Sequence, residues 1–245
     1  MKYKNLQDCI QDLEKNSHLI RIKEEVDPYL EMAEIHRKVF EAKGPAIYYE
    51  KVKGSPFPAV SNLFGTLERS RFIFRKTLPR IKKIFELKAN PARALKAPFH
   101  YLDAASLGFH ALPQKVSDAP VLECQTDLNR LPQIQCWPDD GGPFILLPQV
   151  YTEDLDHPGI MKSNTGMYRI QMAGNEYLAN QEVGLHYQIR RDIGIHHTKA
   201  LLKNQPLRVS IFVGGPPAHT FSAVMYLPED LPEAAFAGAL GGRRF

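Results

Sequence analysis

Residues 163–171 read Ser163-Asn164-Thr165-Gly166-Met167-Tyr168-Arg169-Ile170-Gln171. Two amides, two hydroxyls, a glycine, a phenol and a guanidinium fall within this one short stretch. Hydrogen-bonding groups at this density suit a site for an anion or a polar cofactor. From Gly166 onward the pattern is that of a strand over 166–172, in which alternate side chains share a face. Tyr168 and Ile170 then point one way, and Met167, Arg169 and Gln171 the other. An arginine so placed can hold a carboxylate or phosphate through two parallel hydrogen bonds. Asn164, just before the strand, offers a carbonyl oxygen to a hard cation. Taken by themselves, residues of these types more often make an ordinary solvated strand after a Ser-Asn turn.

Working outward, the flanking sequence is rich in strands. Segments 144–152, 166–172, 184–189, 207–213 and 221–225 all read as strands separated by Gly, Pro, Asn and Asp, with one short helix at 197–203. A succession of short strands predicts a barrel or sandwich. The N-terminal part differs. Leu6, Cys9, Ile10 and Leu13 form one stripe of a helix over 5–15. A strand follows at 19–22, a helix at 31–42 introduced by Asp27 and Pro28, and strands at 46–52 and 58–63. This order predicts a small α/β layer. Segment 66–87 is helical in pattern and interrupted by Pro79, while 96–131 has little periodicity and reads as a connector. The boundary falls in that connector, giving domains 1–110 and 111–245.

The chain has 245 residues, 44% hydrophobic and 24% charged, which is ordinary globular composition. No apolar run is long enough to span a bilayer, and the basic start Met1-Lys2-Tyr3-Lys4 leads into no apolar signal core. Cys9, Cys124 and Cys136 are odd in number and far apart, which fits a reducing cytoplasm and neither a disulfide framework nor a CxxC metal site. Net charge is +4, concentrated in 62–96, where Arg69, Arg71, Arg75, Lys76, Arg80, Lys82, Lys83, Lys88, Arg93 and Lys96 face only Glu68 and Glu86. That face suits contact with anionic lipid or nucleic acid, although a solvated surface is the commoner explanation. No nucleic-acid-binding signature accompanies it.

Three further motifs stand out. His186-Tyr187-Gln188-Ile189-Arg190-Arg191-Asp192 is followed by His196-His197. Adjacent histidines diverge in direction, so each of this pair reads as a lone surface histidine rather than a metal ligand. Gly214-Gly215-Pro216-Pro217-Ala218-His219 ends an apolar strand and lacks the GK[ST] sequel of a phosphate loop. Cys136-Trp137-Pro138-Asp139-Asp140-Gly141-Gly142-Pro143 is a turn by its Asp-Gly and Gly-Pro pairs, and carries the chain's only tryptophan.

Trp137 to Pro143, the strand at 144–152, residues 164–169, His186-Tyr187-Gln188-Ile189, Val213-Gly214-Gly215-Pro216-Pro217 and Leu231-Pro232-Glu233-Ala234-Ala235-Phe236-Ala237-Gly238 occur in the order expected of UbiD-type decarboxylases. The chain resembles that family over nearly all its length. The resemblance implies an α/β domain, then a split β-barrel like that of flavin reductases, and a further α/β domain involved in homo-oligomer formation. It implies prenylated FMN with Mn²⁺ and often K⁺. The implied activity is non-oxidative decarboxylation of an aromatic or α,β-unsaturated acid, such as 4-hydroxy-3-polyprenylbenzoate in ubiquinone biosynthesis. Carried over by position, Asn164 and Glu233 match metal ligands. Met167, Tyr168 and Arg169 match the segment along the cofactor, with Arg169 as carboxylate anchor and catalytic residue. His186, Tyr187, Gln188 and Arg191 match a second cofactor segment.

Two departures shape the expectation. Arg190 stands where the family has a metal-ligating histidine, and a guanidinium has no lone pair to donate. Family members are also far longer, with catalytic carboxylates beyond the position of Phe245. The chain is therefore expected to be a truncated or split decarboxylase, with an incomplete barrel and a C-terminal partner chain. The alternative expectation is a catalytically inactive flavin-binding or interaction module.

Overall fold

The computed structural model describes residues 3–90, 98–189, 192–227 and 231–245. Helix α1 (Leu6–Lys15) begins where Asn5 accepts the Asp8 N–H at 2.8 Å, and it buries Cys9, Ile10 and Leu13 as the stripe predicts. Strand β1 (Leu19–Val26) runs parallel to β2 (Ala46–Val52), with helix α2 (Glu31–Glu41) as the connection that parallel strands require. Antiparallel β3 (Ala59–Ser61) completes the order β1-β2-β3. The central strand β2 is the apolar one, with Ala46, Ile47 and Tyr49 fully buried. Met32, Ile35 and Val39 of α2 pack with Ile47, Tyr49 and Val52 in one cluster. A second, larger cluster gathers Leu13, Leu19 and Ala46 with residues of the later helices.

Asp27 does not cap α2. Leu30 holds that position, at φ 63°, and Asp27 instead accepts the Tyr29 N–H and pairs with Lys53. The helical segment after β3 breaks at 74–77 into α3 (Leu67–Ile73) and α4 (Leu78–Ala89). Pro79 sits in the first turn of α4, where a missing N–H costs nothing, so it starts a helix rather than interrupting one. Part of the expected connector is helix α5 (Pro98–His110). Its apolar residues lie on several sides, Phe99 at 86% exposure and Leu107 at 0%, which is why no periodic stripe is visible.

Part of the basic face is satisfied internally; Arg93 and Lys96 lie outside the described residues. Arg69 is 2% exposed and donates to three backbone carbonyls, and Arg75 pairs with buried Asp12 at 2.7 Å. Lys83 pairs with Asp103 at 2.9 Å. Among the described residues no helix is long and apolar enough to cross a membrane.

The second region contains two small antiparallel sheets among the described residues and no closed barrel. In one, β4 (Phe144–Ile145), β7 (Ile170–Gln171) and β8 (Gly184–Leu185) are ordered β4-β7-β8. In the other, β5 (Gln149–Glu153) lies between β6 (Ser163–Gly166) and β9 (Val209–Phe212). The expected strand at 166–172 is thus two strands in different sheets. Helix α6 (Asp192–Leu202) is longer than expected and buries Ile193 against Val150 and Ile170. The expected strand at 221–225 is helix α7 (Pro217–Ser222) and a following turn, because Pro217 presets the first helical turn. Helix α8 (Glu233–Gly241) packs on α7, and Ala218, Phe236, Ala239 and Leu240 of these helices join the core built on α1, α3 and α4.

Candidate functional site

Met167, Tyr168 and Arg169 carry the chain from β6 across to β7. Gly166 must be small where this crossing begins, since a Cβ there would lie 2.3 Å from the Tyr168 ring. Along the crossing opens a cavity of about 940 Å³, within the range of cofactor sites. Its wall takes residues 163–169, then His186, Tyr187 and Gln188 after β8, Asp192, Ile195 and His196 of α6, segment 223–227, and Pro232 and Glu233 at the start of α8. Asn164, Met167, Tyr168, Arg169, His186, Tyr187, Gln188 and Glu233, singled out from distant parts of the sequence, therefore share one cavity. Arg190 and Arg191 lie outside the described residues.

Asn164 sits in β6 opposite Thr152 and is 5% exposed. Its buried side-chain nitrogen has no hydrogen-bond partner among the described residues. Nitrogen and oxygen of an amide exchange by a flip, so either atom can occupy that unsatisfied position. Glu233 reaches the same strand, its Oε2 accepting the Thr165 N–H at 3.0 Å. Burial pushes its carboxyl above the usual range, and Asp192 adds like-charge repulsion, against the stabilising Thr165 N–H. No cation forms an ion pair with Glu233 among the described residues.

Arg169 is held from two sides. Its guanidinium lies 3.8 Å from the Phe144 ring centroid, and Nη2 donates to both Asp140 oxygens at 3.1 Å. Arg169 lines the cavity and Gln171 does not. Gln171 is buried at 2% exposure and lies 3.2 Å from His186 Nε2 through Oε1. Tyr168 and Tyr187 meet edge to face, and the Tyr187 hydroxyl hydrogen-bonds His197 Nδ1.

The histidine pair is not a loose surface feature. His196 is buried, pairs with Thr152 Oγ1 at 2.9 Å, and is held below the usual imidazole range by that burial. His219, half-buried with its ring between Phe212 and Phe245, is pushed down to about 4 by desolvation. Asp140, Asp192 and Thr165 lie within the quoted motifs, but pattern gave them no role at the site. Asp140 lies within the quoted turn, but nothing local reveals that the turn reaches Arg169.

Residues 10–88 match the 3-octaprenyl-4-hydroxybenzoate carboxy-lyase N-terminal domain, and residues 113–245 match the Rift-related domain of the same carboxy-lyase. The chain belongs to the UbiD family. A Chlamydia pneumoniae protein, named as one subunit of a 4-hydroxybenzoate decarboxylase, is 36% identical over 231 residues, covering 92% of this chain and 38% of that protein. The closed form of Sedimentibacter hydroxybenzoicus vanillic acid decarboxylase superposes with a TM-score of 0.78 at 28% identity, covering 98% of this chain and 49% of the other. An evolved dimeric form of the UbiD-class enzyme HmfF from Pelotomaculum thermopropionicum, in complex with prFMN, gives 0.75 at 22% identity over 99% of this chain and 51% of the other. At that identity the likeness is one of fold. The UbiD chain described here spans 38–41% of the length of the curated relatives it matches.

Proposed function

We propose that this UbiD chain is the cofactor- and metal-holding part of a non-oxidative carboxy-lyase. Its substrate is an aromatic or α,β-unsaturated acid, of which 4-hydroxy-3-polyprenylbenzoate of quinone biosynthesis is one. The observation that carries this reading is the convergence of Asn164, Arg169 and Glu233 with His186, Tyr187 and Gln188 on one cavity.

The residues fit a hard divalent cation such as Mn²⁺, with K⁺ as a companion. Asn164 offers an unsatisfied buried amide, and Glu233 a desolvated carboxylate without a countercharge among the described residues. Among those residues no group of three or more His, Cys, Asp or Glu could hold a metal. Two protein oxygens, with a phosphate supplying others, are a usual arrangement for such ions. Prenylated FMN, when bound, supplies the electron sink for C–C cleavage. The protein's own contribution is placement. Arg169 anchors the substrate carboxylate, and Met167, Tyr168, His186, Tyr187 and Gln188 shape the wall against the cofactor. Arg191 is assigned to the phosphate.

Protonation of the carbon that loses CO₂ is assigned to a carboxylic acid not among the residues placed above. The Chlamydia pneumoniae relative is named as one subunit of its decarboxylase, and a partner chain and a homo-oligomeric cytoplasmic assembly are proposed in the same way. Arg190 favours a second reading, a flavin-binding module without turnover, because it replaces a lone-pair donor with a guanidinium.

The test is reconstitution. The purified chain, incubated with prenylated FMN and Mn²⁺, is passed through gel filtration and then assayed for CO₂ release from 4-hydroxybenzoate. Flavin absorbance is expected to stay with the protein, with little or no CO₂ released. Protein that emerges colourless overturns the flavin site. Robust CO₂ release by this chain alone overturns the second reading, a module without turnover.

A further inference from the structure

Asn164 and Glu233 offer the cation two protein oxygens, and the wall of the same cavity carries one more donor, His196. Its place follows from the sheet. Strands β5 and β6 pair antiparallel with Thr152 directly opposite Asn164. Opposed residues of such a pair put their side chains on one face, with Cβ atoms about 5 Å apart. Helix α6 covers that face. Its Ile193 packs on Val150, which shares a side of β5 with Thr152. Three residues on, His196 meets Thr152 itself, with Nδ1 at 2.9 Å from Oγ1. The imidazole and the Asn164 amide therefore stand over the same face, and both residues line the cavity. Glu233 comes to the neighbouring residue of β6 from α8, through the Thr165 N–H.

Each of these groups has bonding capacity that folding leaves unused. Asn164 is 5% exposed and its side-chain nitrogen has no partner among the described residues. His196 is 8% exposed, and its Nε2 makes no hydrogen bond or ion pair among those residues. A hydrogen bond on one ring nitrogen fixes the direction of an imidazole and leaves the other nitrogen to bind, which is how ligating histidines are usually held. The plainer role for His196 is to tie α6 to β5 through Thr152. That role uses Nδ1 alone and predicts no bond to a metal.

We propose that His196 is a ligand of the divalent cation, giving Nε2 as nitrogen donor beside the oxygens of Asn164 and Glu233. This rests on the metal-holding reading of those two residues. His196 then supplies the lone pair that a guanidinium at position 190 lacks. The set has two members among His, Cys, Asp and Glu, in keeping with the absence of any group of three among the described residues. An imidazole beside two oxygens also favours a transition-metal ion over Mg²⁺ or Ca²⁺.

The experiment loads the whole chain with Mn²⁺ in the presence of inorganic phosphate. Pulsed electron paramagnetic resonance then detects any nitrogen bonded to the ion. The wild type is expected to show a coupled ¹⁴N that becomes ¹⁵N when histidine alone is labelled. His186 and His196 are the histidines that line the cavity among the described residues. His186→Gln should keep the coupling. His196→Gln should lose it and bind Mn²⁺ about tenfold more weakly or worse. If His196→Gln is poorly folded by its thermal melt, the labelled wild type and His186→Gln still decide. Bound Mn²⁺ with no coupled nitrogen overturns the proposal and leaves an all-oxygen site. A coupling that survives His196→Gln, or that His186→Gln abolishes, overturns it as well. Wild type that takes up no Mn²⁺, or uptake unchanged in Asn164→Ala and Glu233→Gln, overturns the metal-holding reading itself and His196 with it.

Discussion

Arg69 and Arg169 show how differently the two regions treat the same chemistry. In the N-terminal layer, Arg69 gives Nε to the Leu63 carbonyl at 3.0 Å, Nη1 to Gly44 at 2.9 Å and Nη2 to Asn62 at 2.6 Å, and is buried. At the cavity, Arg169 spends one nitrogen on Asp140 and keeps the others available. The carboxylates repeat the contrast. Burial pushes the Asp12 carboxyl up, but hydrogen bonds from Tyr3 and Arg75 outweigh that push and its pKa is lowered. Glu233 has a backbone N–H and a like-charged neighbour, and burial prevails to raise its pKa. Saturated polar groups tie loops to a core. Unsaturated buried ones are costly in the free protein and are compensated by a ligand.

The comparison breaks first if Arg69 is dispensable. Arg69→Met removes hydrogen bonds to three backbone carbonyls and is expected to cost about 3 kcal/mol, read as the midpoint of urea unfolding. An unchanged midpoint would mean that the first layer is not held by saturation. His219 stands at the junction of the two regions, on α7, with its ring against Phe212 and Phe245. Its folded pKa is depressed to about 4, so the folded state resists protonation while the unfolded chain accepts it. Stability should therefore fall as pH drops from the unfolded histidine value near 6.5 toward 4. His219→Phe should flatten that part of the curve, on the order of 2 kcal/mol at its acid end. An identical slope in wild type and variant removes His219 as the cause.

The smallest expected effect concerns Glu233, and it is the sharpest on function. A carboxyl whose folded pKa is raised contributes stability at low pH that is lost as pH rises through the folded value. At neutral pH its ionised form costs stability. Glu233→Gln should then melt slightly higher than wild type without metal, by less than about 1 kcal/mol, and lose any Mn²⁺-dependent rise in melting temperature. A variant that melts lower and still responds to Mn²⁺ would take Glu233 out of the metal site.

Much of the first layer was legible because its signals are local. The α1 stripe at Leu6, Cys9, Ile10 and Leu13 and the apolar β2 at 46–52 appear where their periodicities put them. Pattern failed where packing overrode propensity. The α5 helix carries apolar residues on several sides, because Leu107 faces the core while Phe99 and Phe109 do not. Aromatic and branched residues at 221–225 suggested a strand, but Pro217 and the packing of α7 on α8 made the segment helix and turn. At the site, the density of polar groups in 163–171 was plain. The break between β6 and β7 was not, because each half is paired by a strand remote in sequence.

By itself the sequence determined which groups are available: an amide at 164, a guanidinium at 169, a carboxylate at 233, and the ordered motifs that carry family membership. Only the tertiary structure decided how those groups are used. Chain order cannot show that Thr165 holds Glu233 across 68 residues, or that Asp140 reaches Arg169 across 29. Valence left over after folding depends on every neighbour that packing brings near, and those neighbours come from distant parts of the chain.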